Sequence, residues 1–203
     1  MTNNDTENKG DHMALQDVLI DELRDMYSAE NQLVKALPKL AKGARSPELK
    51  TLFTTHLQET KGQVERLKQV FEILGKKATG QHCNGMEGIV KEGAEQLEKT
   101  EPPASFDAGL IGAGLRTEHY EIAGYTAVIA MAKVLGQKEI VGLLTENLNE
   151  EVAAGKKIFA AGQAILKTSA KEQQQAKGPK TAKEKASGKK SKDDEKQAAA
   201  ANK

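Results

Sequence analysis

The chain has 203 residues, enough for one domain of ordinary size plus flanking sequence. Its formal charge is +1, yet from Lys167 onward 11 lysines face 5 acids, so a tail of +6 follows a body of −5. A single cysteine, Cys83, rules out an intrachain disulfide, and no apolar run approaches the ~18 residues of a membrane span, which excludes the disulfide-stapled and membrane-spanning classes.

The start, MTNNDTENKG, is polar and lacks the apolar stretch of a signal peptide, so a cytoplasmic location is expected and residues 1–12 are expected to be disordered. Helical sequence rich in Leu, Ala, Glu, Lys and Gln begins near Ala14. The first helix is predicted from Ala14 to Lys42, stopping at Gly43, with a bend or local break at Pro38 because proline removes a backbone donor. Ser46-Pro47-Glu48 reads as a helix start, and the second helix is predicted to run from there to Leu74, ended by Gly75. A long connection follows, Lys76 to Ser105, crossed by a short helix over Ile89 to Leu97. The third long helix is predicted from Phe106 to Leu135 with Gly136 as its stop, and the fourth from Gln137 to Lys167. Residues 168–203 are low-complexity Lys/Ala/Gln sequence, expected to be disordered because they offer no large apolar side chain to bury.

Two helix pairs with tight turns, joined by one long crossover, give an all-α expectation: a ferritin-like antiparallel four-helix bundle over residues 13–167. The seams of that bundle carry charge. With a spacing of three and four, the first helix presents Leu19, Leu23, Met26, Glu30, Leu33, Leu37 and Leu40. The second presents Leu49, Leu52, His56, Glu59, Gln63, Leu67, Val70 and Leu74; the third Ile111, Gly114, Glu118, Glu121, Tyr125, Val128, Ala132 and Leu135. The fourth presents Val141, Leu144, Leu148, Glu151, Gly155, Ile158, Gly162 and Ile165. Each polar group lies near the middle of its helix, and the middles of antiparallel helices share one level. Glu30, His56, Glu59, Glu118, Glu121 and Glu151 are therefore expected to meet in the core.

Buried carboxylates packed together repel one another, and no Lys or Arg stands on these seams at that level. Metal is the natural counter-charge, and an oxygen-rich set with one nitrogen suits two iron ions, or manganese.

Several motifs support this. Leu-x-x-x-Tyr-x-Ala-Glu-x-Gln at 23–32, His-Leu-x-Glu-Thr at 56–60, Glu-His-Tyr-Glu-Ile-Ala-x-Tyr at 118–125 and Asn-Glu-Glu at 149–151 resemble the YciE/YciF family, small bacterial ferritin-like proteins linked to stress responses. His-Cys-x-Gly-Met at 82–86 and Glu-Gly at 92–93 extend the resemblance, which covers about residues 14–166. It implies a ferritin-like fold, a homodimer and a rubrerythrin-like metal site. The sequence departs from the wider di-iron pattern in two places: His56-x-x-Glu59 reverses the usual Glu-x-x-His, and Ala154 stands where Glu151 would be followed by His.

Within this frame Glu59, Glu118 and Glu151 are the expected bridging or chelating ligands, Glu30 and Glu121 terminal ligands and His56 the nitrogen ligand. Tyr27, Gln63 and Tyr125, one turn away, either donate hydrogen bonds that orient the carboxylates or serve as plain core residues. Glu150 is expected towards solvent and Glu146 off the seam, while His119, at the wrong angle to join Glu118, is expected to orient a ligand or lie at the surface. His82 and Cys83 are too few for a zinc site, and packing is the better expectation. No phosphate-cradling loop, hydrolase elbow or dinucleotide-binding glycine motif is present. The functional expectation is oxidation of iron or removal of peroxide, with oxygen or peroxide as small-molecule substrate. The alternatives are a non-catalytic stress protein whose basic tail contacts nucleic acid through phosphates, and a scaffold that binds metal only for stability.

Overall fold

The computed structural model describes residues 14–176, which form five helices and their turns. Helix α1 spans Leu15–Gly43 and α2 spans Pro47–Ile73. The tight turn between them is capped twice. Ser46 Oγ accepts from the amide of Leu49 at 3.4 Å, and Asp107 accepts from the amides of Arg45 and Ser46 at 2.9 and 2.5 Å. Of the bend or break expected at Pro38, the break does not occur, and α1 runs on as one helix. Leu33, Leu37 and Leu40 anchor both sides of the proline in the core, which outweighs one missing backbone bond.

Helix α3, Asn84–Leu97, starts five residues before the expected Ile89, because Cys83 Sγ caps it by accepting from the Met86 amide at 3.3 Å. Helix α4 spans Pro103–Val134, opening on proline in the first turn. Gly75 and Gly136 end α2 and α4 with φ of 62° and 69°, a left-handed conformation that favours glycine. Helix α5 spans Lys138–Ala176, overrunning the expected end at Lys167. The extra turns are almost wholly solvated, so helix-forming Ala, Lys, Glu and Gln extend α5 without a core to bury. The expected disorder of residues 1–12, and of the tail beyond Ala176 with its nucleic-acid contact, falls outside the described residues.

The long helices pack in a closed ring: α1 on α2, α2 on α5, α5 on α4 and α4 on α1, with α3 laid across α1 and α4. Neighbours run in opposite directions. Gln63 meets Glu151 while Arg66 meets Asn147, and Met26 lies against Gly124 while Asp107, near the start of α4, holds the residues just past α1. Two apolar clusters fill the ring, one at each end. The first includes Leu33, Phe53, Ile111 and Ile158; the second includes Met26, Leu67, Tyr125 and Leu144. Along every long helix buried polar positions fall between these clusters; Asp107, at the start of α4, is buried apart from them. Among the described residues no helix is long and apolar enough to cross a membrane.

Candidate metal centre

Between the apolar clusters lies a buried polar layer: Glu30 on α1; His56, Thr60 and Gln63 on α2; Thr117, Glu118 and Glu121 on α4; Asn147 and Glu151 on α5. His56, Glu118, Glu121 and Glu151 each present one ligand atom, all within 4.8 Å of one another. His56 Nε2 lies 3.5 Å from Glu118 Oε1 and 3.8 Å from Glu151 Oε2. Gly155 on α5 packs against the side chain of Glu118, where an added Cβ would sit in ordinary contact at 3.5 Å.

Hydrogen bonds hold part of the layer and leave part of it bare. Tyr125 donates to Glu30 Oε1, Gln63 donates to Glu151 Oε1, and Asn147 donates to Tyr125 Oη at 2.8 Å. The remaining oxygens have no partner: Glu30 Oε2, Glu118 Oε2, both of Glu121 and Glu151 Oε2, together with His56 Nε2. Buried polar atoms are nearly always satisfied, so such a group of orphans is the mark of a place for a cation. Burial, then the charge of Glu151, pushes Glu118 up to about 11. Burial first, with neighbouring carboxylates next, also holds Glu30 and Glu121 well above the ordinary carboxylate range. Among the described residues no lysine or arginine is buried. The layer can be neutralised only by protons or by metal, and its donor set of carboxylates plus one imidazole fits metal.

The family described as a domain of unknown function, DUF892, matches residues 14–180. The chain belongs to the DUF892 family. It is 43% identical over 145 residues to Protein YciF of Escherichia coli K12, covering 71% of this chain and 87% of that protein. This bears out the YciE/YciF resemblance carried by the motifs. The fold matches the crystal structure of the E. coli stress protein YciF with a TM-score of 0.74 at 40% identity, covering 76% of this chain and 98% of that one. It also matches YcfI from Rhodopseudomonas palustris with a TM-score of 0.71 at 43% identity, covering 74% and 96%.

In this DUF892 chain the expected ligands divide. His56, Glu118, Glu121 and Glu151 come together, and Glu30 is buried with them, tied to Tyr125. Glu59 does not join the group. It is partly exposed, with Oε2 3.3 Å from His56 Nδ1 and Oε1 3.4 Å from Lys157 Nζ, and the His56 bond holds its carboxyl below the ordinary range. The buried face of α2 runs through Leu49, Phe53, His56, Thr60, Gln63, Val64, Leu67, Val70 and Phe71, so Glu59 stands one position off it. Tyr27 is also elsewhere: its ring packs edge-on against Phe71 with centroids 6.0 Å apart, a core contact of the second apolar cluster. Gln63 and Tyr125 do donate to carboxylates.

The seam pattern does not single out Asn147 or Arg66. Asn147 is fully buried, joining Tyr125 to the carbonyl of Gln63, while Val141 and Leu148 on the expected seam are only partly buried. Its position four before Glu151 and three after Leu144 was the available signal. Arg66 reaches the edge of the layer, where it donates to Asn147 and pairs with Glu150, which is therefore not turned freely to solvent. Glu146 is exposed, and so is His119, bonded to the carbonyl of Leu115. Cys83 is buried against Tyr120 Oη at 2.9 Å while His82 pairs with Glu87 at the surface, so they share no site.

Proposed function

We propose that the protein is a ferritin-like four-helix bundle that holds two iron or manganese ions in its polar layer and serves in stress response by oxidising ferrous iron or removing peroxide. The observation that carries this reading is the convergence of His56, Glu118, Glu121 and Glu151 from three helices, buried and with unpartnered atoms aimed at one another. With Glu30 the layer contains four carboxylates, whose charge balances two divalent cations beside a neutral imidazole. The ring of four long helices with its long connection between α2 and α4 supports the ferritin-like assignment. The description of YciF as a stress protein supports the physiological role.

When bound, iron or manganese would supply redox capacity towards oxygen or peroxide. The chain's own residues prepare the place. Gln63 and Tyr125 pin one oxygen each of Glu151 and Glu30, which fixes the orientation of those carboxylates. The apolar clusters on both sides exclude bulk water and keep the electrostatic attraction strong.

The test is a metal count followed by oxidation. Purified full-length protein is loaded with ferrous iron without air, desalted, assayed for iron, and then exposed to air or peroxide. About two ions per chain are expected in the native protein, with retention and oxidation both lost in Glu118→Ala and Glu151→Ala. A native chain that keeps no iron, or equal behaviour of all three proteins, would overturn the reading.

A further inference from the structure

A cation bound in the polar layer has to cross the helix wall. The seam between α1 and α4 is closed by Met26 lying on Gly124, where an added Cβ would meet the sulfur at 2.3 Å. The seam between α4 and α5 is closed by Gly114 against Ile158 and Gly155 against Glu118. The α2–α5 seam is different, because charged pairs span it. Lower along that seam, Arg66 is 18% exposed and engages Asn147, Glu150 and Glu146 together, which makes a firm plug. Higher up, Lys157 is 49% exposed and holds a single acceptor, Glu59, at 3.4 Å.

Behind that looser pair lies a hollow of about 10 Å³, lined by Thr55, His56, Glu59 and Lys157 among others. This is about the space of one water molecule. Glu59 touches the hollow and, through Oε2, reaches Nδ1 of the imidazole whose Nε2 faces Glu118 and Glu151. One carboxylate thus stands with one oxygen towards solvent and the other on a residue of the buried group. Its displacement from the buried face of α2 is what puts it there.

We propose that Glu59 and Lys157 form the cation port of the metal centre: Glu59 takes a divalent cation from solvent as the Lys157 ammonium swings away, and delivers it past His56 to Glu118 and Glu151. This rests on the metal-centre reading above. Lys157 competes with the incoming cation for Glu59 and repels it, so it sets the loading rate. Glu59 supplies the attraction that draws the cation in. Neither residue is required to hold the cation once it is inside.

Cobalt(II) alone serves as the probe. Its absorbance on binding is followed by stopped flow, and the ions retained per chain are counted after desalting. Lys157→Gln is expected to load about two- to fivefold faster, the weight of a partly exposed ion pair. Glu59→Gln, which keeps a side-chain oxygen for His56, is expected to load more slowly, and both variants should reach the native final count. Glu65→Gln, which removes an acid of α2 paired only with Lys68, should load at the native rate and control for the general field. A native rate in either port variant overturns the proposal, as does a reduced final count in Glu59→Gln, which would make Glu59 a ligand. A native chain that retains no cobalt instead removes the metal centre itself, and is read from the count rather than from the rates.

Discussion

Asn147 satisfies three groups around the buried acids: it donates to Tyr125 Oη and the carbonyl of Gln63 and accepts from Arg66. Through Tyr125 it secures Glu30, so an uncharged side chain keeps a carboxylate oriented from two bonds away. Glu30 and the acids beside it are raised, not lowered, and this fixes the sign of a pH effect. In the folded metal-free chain Glu30, Glu118 and Glu121 keep protons that the unfolded chain releases in the ordinary carboxylate range. Their contribution to stability is therefore complete below that range and is lost as pH rises through the raised values, towards about 11 for Glu118. The unfolding free energy of metal-free protein is expected to fall between about pH 5 and pH 9, by at most ~1.4 kcal/mol per pH unit for each such proton, and the melting temperature with it. Added iron or manganese should flatten that slope, because metal replaces the protons. Thermal melts across pH, with and without metal, check both statements; a metal-free melting point that climbs over this range would mean that the acids are ionised and paired.

At the scale of the helix, Pro38 leaves the carbonyl of Val34 without its intrahelical donor while the helix continues on both sides. Its ring is exposed, so replacing it disturbs no core contact. Pro38→Ala is expected to raise stability by about 1–3 kcal/mol in urea unfolding, and no gain would mean that the backbone has already relaxed around the ring. The buried face of helix one was legible in the sequence, since every expected seam residue from Leu19 to Leu40 is buried, whereas its unbroken passage through Pro38 was not. Helix two was legible only in part. Spacings of three and four through His56 and Gln63 can pass through Leu52 and Glu59 or through Phe53 and Thr60, and periodicity alone does not choose. The packing of Phe53 in the first apolar cluster decides for the second set and moves Glu59 to the rim. The burial and common level of Glu30, His56, Glu118, Glu121 and Glu151 could be read because helices of similar length with tight turns align their middles. Asn147 had only its spacing from Leu144 and Glu151 to mark it and Arg66 had nothing, because an amide and a guanidinium on charged helices look like surface until a partner is seen.

Considered as a whole, the molecule is a polar slab clamped between two apolar ends, with α3 strapped over α1 and α4. That strap begins at Cys83, the chain's one sulfhydryl, which is buried, bonded to Tyr120 and pushed up first of all by its burial. A neutral, covered thiol is a poor nucleophile, so Cys83 itself offers an oxidant little to attack. The same placement makes Cys83 a built-in reporter of excursions by the strap. A disulfide reagent should modify the folded protein about 10²–10³ times more slowly than the urea-unfolded chain, as for an opening that costs ~3–4 kcal/mol. Labelling at the unfolded rate would show that the strap is loose. Slow labelling would let its detachment be timed by chemistry at one atom, without a dye, a tag or a second cysteine.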